Sequence, residues 1–445
     1  MKRIKLKIYF QSLGCDKNLS DSEHMLGLLS DNGYEFTSSE EEADIAIVNT
    51  CCFIGDAKKE SIDEILRLAS FKDSAVLKVL IITGCLSERY REDLLSEIPE
   101  IDGALGINDW DRLPELLSEV LSGKKAAYYA KEDRLPRSAK RILSTGGSYG
   151  YLKIAEGCNK FCTYCIIPHV RGRYRSVPME ELLSEARDMA EKGVRELILV
   201  AQETTVYGTD LYGRKMLPDL LWALSEIPEI QWIRILYCYP EEITPELINV
   251  IRDNPKVLHY LDIPVQHASD RILKKMNRRT NLSELKEKIF SLREQIPDIA
   301  LRTTLITGFP GESHRDFKVL LRFVNEIRFE RLGVFTYSRE EGTPASLMKR
   351  QVPEFLKKRR RDKLMSAQQK IAFEKAAALT GTELQVIIEG RVLGEENVYQ
   401  GRTYMDAPEV DSCIFIEADR ALFSGDIIHA RVTSWGGYDL IGVII

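Results

Sequence analysis

The sequence predicts an α/β protein in three parts: an N-terminal open parallel α/β sheet, a central partial (β/α)6 barrel and a C-terminal small antiparallel β-barrel. Three observations predict it. Short, nearly continuous apolar runs alternate with helix-length amphipathic stretches, the βα repeat of a parallel sheet. The repeat is interrupted by a polar connector, residues 123–148, in which Pro136, Gly146 and Gly147 separate a domain over 1–122 from one over 149–378. After Gly381 the pattern changes to short alternating runs divided by Gly, Asn and Asp, which places a small β-barrel over 379–445.

Composition narrows the function classes. A chain of 445 residues exceeds one ordinary core, and 44% apolar with 29% charged residues suits a soluble globular protein. The N-terminal stretch lacks an apolar h-region and no eighteen apolar residues run together, so a cytoplasmic protein without membrane contact is expected. Of nine cysteines, six fall in two triads, which suits metal binding in a reducing compartment better than a disulfide framework. A net charge of −6 argues against wholesale nucleic-acid binding.

In the first domain, residues 5–14 alternate as a strand would and end at Cys15. Residues 44–49 (DIAIVN) read as a buried parallel strand ending at Cys51, and 76–83 (VLKVLIIT) as another ending at Gly84 and Cys85. Open α/β sheets bind ligands at the carboxyl ends of their strands, so these distant cysteines are expected to meet at one edge. A solitary cysteine is common in any core. The same placement three times points to a metal cluster.

In the central domain, six runs at 151–157, 196–202, 232–240, 260–266, 301–309 and 331–338 are each followed by a helix-length stretch. Barrel active sites sit on the loops after strand C-termini, and the first such loop carries Cys158, Cys162 and Cys165 in a C-x3-C-x2-C spacing. Three thiolates with no second pair nearby suit a four-iron cube whose remaining iron is open to a small molecule. Completed by His169, they would also suit zinc. Residues 349–363 form a strongly basic run, either a solvated helix face or a binding surface.

The motifs YLKIAEGCNKFCTYCIIP, LVAQETTVYGTDLYG, LDIPVQHASDRILKKMNRR, TLITGFPGE and FTYSREEGTPA resemble the radical S-adenosylmethionine methylthiotransferases across nearly the whole chain. The C-terminal barrel resembles their TRAM module. The resemblance implies two [4Fe-4S] clusters. One, on Cys158, Cys162 and Cys165, chelates S-adenosyl-L-methionine and cleaves it to a 5′-deoxyadenosyl radical, the chemistry an unactivated C–H bond requires. The other, on Cys15, Cys51 and Cys85, offers a place for the incoming sulfur. Expected cofactor contacts are Tyr164 through its backbone, Gln202, Gln266, Arg302 and Thr304, with residues 306–312 beside the adenosine. His267 is read as structural. Cys52 beside Cys51 and Val177 in place of an arginine depart from the family pattern.

Charge bears on the substrate. Residues 381–445 hold eleven Asp and Glu against four Arg and Lys, a net −7 that repels phosphate and suits a basic protein. Together with AQETTVYG and YDLIG, this implies the members that modify an aspartate β-carbon of a small-subunit ribosomal protein. The carboxylates of Glu395, Glu396, Asp406, Glu409 and Asp411 are the expected attractors. A reductant such as flavodoxin or ferredoxin and an external sulfur donor are implied partners. The competing readings are a tRNA adenosine methylthiotransferase and a non-catalytic iron–sulfur redox sensor.

Overall fold

The computed structural model describes residues 6–73, 76–130, 134–137 and 140–445. Lys5, at the start of the first expected strand, and residues 131–133 and 138–139 of the expected connector lie outside them.

The N-terminal domain is a six-stranded parallel sheet. Its three long strands are Lys7–Ser12, Ile45–Thr50 and Val79–Gly84, the second and third buried on both faces as their unbroken apolar runs require. Three short strands escaped the periodicity: Glu35–Phe36, Gly103–Leu105 and Ala126–Tyr128. The last falls inside the expected connector and corrects its start, because Ala126–Tyr128 pairs with Gly103–Leu105. Two or three residues are too few to display a period. Helix Asp16–Asp31 packs Met25 and Leu29 on one face of the sheet, and helix Gly55–Asp73 packs Ile65 and Leu68 on the other. The connections leaving Lys7–Ser12 and Ile45–Thr50 therefore diverge. That divergence opens a crevice at the carboxyl ends of these adjacent strands.

The central domain has six parallel strands in sequence order: Tyr149–Lys153, Glu196–Val200, Trp232–Ile235, Val257–Asp262, Ala300–Thr307 and Arg331–Thr336. The first and last are edges, so the barrel is partial as expected. Its helix-facing layer is aliphatic, built from side chains such as Leu197, Leu199, Ile233, Leu261, Leu301 and Leu305.

The C-terminal domain is a closed five-stranded barrel. One pair departs from the antiparallel expectation, since Ile414–Glu417 lies parallel to Asp439–Ile444. The domain is not a free appendage: Ile387, Met405 and Ala407 pack against Tyr151, Ile198, Trp232 and Tyr260 inside the amino-terminal end of the partial barrel. Arg234, wholly buried, joins Glu196 at 2.6 Å and the Tyr404 carbonyl at 2.7 Å, while Arg402 reaches Glu196 at 2.6 Å. This floor overturns part of the expected acidic face. Asp406 is buried and bonded to Arg331 at 2.9 Å; Asp411 accepts from Tyr260 Oη at 2.9 Å and Arg302 at 3.3 Å. Glu395 and Glu396 remain exposed, and the exposed Glu409 bonds Tyr149 at 3.2 Å.

Candidate active site

The first cysteine triad lies at the crevice of the N-terminal sheet. Cys15 caps helix Asp16–Asp31 and Cys85 begins helix Cys85–Glu97, each following a glycine with positive φ, Gly14 at 95° and Gly84 at 89°. Burial pushes the Cys85 thiol well up, and the charge of Arg171 opposes that shift. A Cβ on Gly14 would stand 2.9 Å from the Cys51 sulfur, so only glycine lets the two loops approach. Asn18 ties them, its Nδ2 donating to the Leu13 carbonyl at 2.9 Å and the Thr50 carbonyl at 3.0 Å. Cys51 lies close enough to Cys15 for their charges to couple, whereas Cys52 points into the apolar core and donates to the Cys85 carbonyl at 3.1 Å.

The second triad occupies the loop after Tyr149–Lys153. Gly157, with φ 78°, lets the chain pass where a Cβ would stand 2.1 Å from the Arg173 carbonyl. Cys158 N–H bonds the Gly172 carbonyl at 3.2 Å, Cys165 N–H bonds that of Cys162 at 2.9 Å, and Thr163 N–H bonds that of Met276 at 3.0 Å. The loop is thus fixed by backbone, and of its sulfurs that of Cys162 lies 3.7 Å from Tyr239 Oη. Burial pushes the Cys158 thiol up to about 11, the cost that a bound cation reverses by taking the thiolate. His169 is exposed on the short helix Ile167–Val170. Among the described residues, no three His, Cys, Asp or Glu side chains converge on a single metal ion.

The two triads meet through one buried ion pair. Arg171 sits 3.4 Å from the Cys85 sulfur, bonds Asn18, and clasps Glu156 with contacts of 2.8 and 2.9 Å. Glu156 in turn accepts from Gln202 Nε2 at 2.9 Å, leaving the Gln202 Oε1 buried and without a partner among the described residues. Gln266 carries the same signature: its Oε1 is buried and has no partner among the described residues, on a backbone held at φ 66° by bonds to Thr304 and Ile306. Two orphaned amide oxygens at strand ends are acceptors awaiting a donor.

The other expected contacts fall less simply. Thr304 is half-buried on the face of Ala300–Thr307 that also carries Arg302 and Ile306, alternating with the fully buried Thr303 and Leu305. Arg302 is occupied, bonded to Asp262 at 3.2 Å and to Asp411. The Tyr164 ring packs with Met276, Phe309 and Tyr337, which leaves its backbone for any ligand contact. His267 Nδ1 accepts from the Ala268 and Ser269 N–H groups at 3.0 and 2.9 Å, and burial lowers its pKa to about 3, a neutral structural ring. Sequence reasoning missed Asn18, Glu156 and Arg171. Their partners stand up to 153 positions away, and the only sequence signal was a charge in an otherwise apolar strand end.

The residues fit iron–sulfur clusters: each triad offers three soft donors in a largely buried shell, and the Gln202 and Gln266 amide oxygens at strand ends, unpartnered among the described residues, suit a polar cofactor. Residues 7–106 match the uncharacterized protein family UPF0004, 152–324 the radical SAM superfamily and 380–445 the TRAM domain. The ribosomal protein uS12 methylthiotransferase RimO of Lachnoclostridium phytofermentans is 57% identical over 438 residues, 98% of this chain and 99% of that one. The chain belongs to the RimO family. The RimO of Geobacter sulfurreducens is 48% identical over 447 residues, 100% of both chains. Among solved structures, the radical S-adenosylmethionine methyltransferase TsrM from Kitasatospora setae, with cobalamin and a [4Fe-4S] cluster bound, aligns with a TM-score of 0.55. The alignment covers 77% of each chain at 14% identity, a likeness of fold.

Proposed function

We propose that this RimO-family chain inserts sulfur and a methyl group at the β-carbon of an aspartate in ribosomal protein uS12. S-adenosyl-L-methionine and two [4Fe-4S] clusters are its cofactors. The observation that carries the reading is the pair of cysteine triads at strand ends of two domains, joined by Arg171 and Glu156. When bound, these cofactors supply hydrogen-atom abstraction, sulfur and a methyl group, which no side chain of ordinary pKa provides at an unactivated carbon.

The chain's own residues hold and orient. Cys158, Cys162 and Cys165 would bind the cluster that takes S-adenosyl-L-methionine, and Cys15, Cys51 and Cys85 the cluster that serves sulfur transfer. Gln202 and Gln266 offer amide oxygens to N–H or O–H donors of the cofactor, with Thr304 and the Tyr164 backbone beside them. Arg302 acts through Asp262, holding the carboxylate that accepts from Tyr237 N–H at 3.1 Å. Asn18 and Arg171 join the two domains beside Cys85. The C-terminal barrel closes the floor against water, and its exposed Glu395 and Glu396 favour a basic polypeptide. A reductant such as flavodoxin or ferredoxin completes the system.

The test is anaerobic reconstitution with iron and sulfide, then incubation with uS12, S-adenosyl-L-methionine and reductant. Mass spectrometry should find one methylthio group on an aspartate. Modification of tRNA adenosine in place of uS12 would refute the substrate. Product formed by a chain with Cys15, Cys51 and Cys85 all changed to Ala would refute the role of that triad.

A further inference from the structure

The basic run at 349–363 is divided by the fold into two functions. Helix Glu354–Ala378 buries one face on the barrel, through Lys357, Arg360, Leu364, Gln368 and Ile371. Two of the cations are consumed there: Lys357 Nζ donates to the Tyr337 carbonyl at 2.7 Å and Arg360 pairs with Glu312 at 2.8 Å. Arg361 pairs with Asp362. Lys349, Arg350, Lys358, Arg359 and Lys363 are exposed and have no ion pair among the described residues.

Positions 355, 358, 359 and 363 share one helical face, a ridge about 12 Å long. Phe355 is 72% exposed on it and Leu347, just before it, 85% exposed. Neither the charges nor the Phe355 ring serves the helix itself. Cations near the amino end of a helix oppose its dipole, and an exposed Phe contributes nothing to the core. The ridge also has a defined place. Gly311 N–H bonds the Arg350 carbonyl at 2.8 Å, so the basic segment starts against the 306–312 loop at the carboxyl end of a barrel strand, next to the candidate active site.

We propose that this ridge binds single-stranded RNA beside the active-site mouth. Unpaired cations neutralise phosphates, and an exposed aromatic among them stacks a base of any sequence, the combination that single-strand binders use. A membrane surface would require apolar residues in a continuous stripe, whereas here Phe355 stands among the three cations Lys358, Arg359 and Lys363. The inference stands on the ridge. Only its purpose, holding a ribosomal protein that presents itself against ribosomal RNA, rests on the function proposed above.

Fluorescence anisotropy with a labelled single-stranded RNA tests it on the full chain. Five phosphate contacts should give a slope of about −3.5 in log K against log salt, roughly a hundredfold weakening from about 50 to 200 mM. The triple variant Lys358→Glu/Arg359→Glu/Lys363→Glu should flatten that slope by about 2. Phe355→Ser should weaken binding about tenfold without changing the slope. Both variants should cleave S-adenosyl-L-methionine and modify RNA-free uS12 at the wild-type rate, since these side chains touch neither cysteine triad. Wild type binding RNA no better than the triple variant would overturn the proposal. So would tighter capture by phosphatidylserine vesicles, or loss of activity of the triple variant on RNA-free uS12, which would make the ridge a protein-docking surface.

Discussion

Arg171 and Cys85, 86 positions apart and both buried, meet at 3.4 Å across the boundary between the first two domains, and the same guanidinium holds Glu156 of its own domain. A hydrogen bond and positive charge at a cysteine sulfur stabilise its thiolate. The contact also fixes the distance between the two cysteine triads, because Arg171 follows Cys165 by a single short helix.

Removing Arg171 leaves the buried Glu156 with only Lys153, at 3.0 Å, to offset its charge, at about 3 kcal/mol. Arg171→Met should therefore destabilise the iron-free chain by that amount in denaturant unfolding. Arg171→Lys, which keeps the charge but loses the fork, should cost less.

Adjacent Cys51 and Cys52 have different neighbours, Cys51 lying beside Gly14 and near Cys15, and Cys52 packing in the core with a bond to the Cys85 carbonyl. Cys51→Ala should lower the iron content after reconstitution to that of the other triad alone. Cys52→Ala should retain all of it. Equal iron loss in both variants would reverse the ligand assignment.

The domain interface should respond to acid. Burial alone would raise the Glu185 carboxyl, but His24 at 3.2 Å and Arg141 at 2.6 Å more than offset it and hold Glu185 at about 2. The folded value lies below the unfolded 4.5, so the contact stabilises above that pH and is lost as pH falls toward 2. Its full loss amounts to about 3 kcal/mol. Wild type should lose about that much more stability between pH 7 and 2 than Glu185→Gln, measured by urea unfolding at each pH.

The acidic residues of the C-terminal barrel should separate into two classes. Glu395→Lys/Glu396→Lys should weaken uS12 binding, less so at high salt where exposed charges are already screened. Asp406→Ala should instead unfold the chain more easily, by about 3–5 kcal/mol, because it strands Arg331 in the barrel floor. Deleting residues 381–445 should act the same way, uncovering Tyr151, Trp232 and Tyr260, so a deletion cannot isolate substrate binding from stability.

The sequence by itself determined the three-part architecture, the two cysteine triads and the family, because βα periodicity, cysteine spacing and motif order are properties of the chain read along its length. It also placed Gln202 and Gln266 at strand ends, where their amide oxygens have no partner among the described residues. Only the tertiary structure decided which charges serve binding and which serve packing. Asp406 and Glu396 look alike in sequence, yet one is buried against Arg331 and the other faces solvent. Lys357 and Lys358 are neighbours with opposite fates. Asn18 reaches residues 5, 32 and 153 positions away, and no local pattern records such partners. Burial of a polar group depends on what the rest of the chain brings against it, so its role emerges only once the domains have docked.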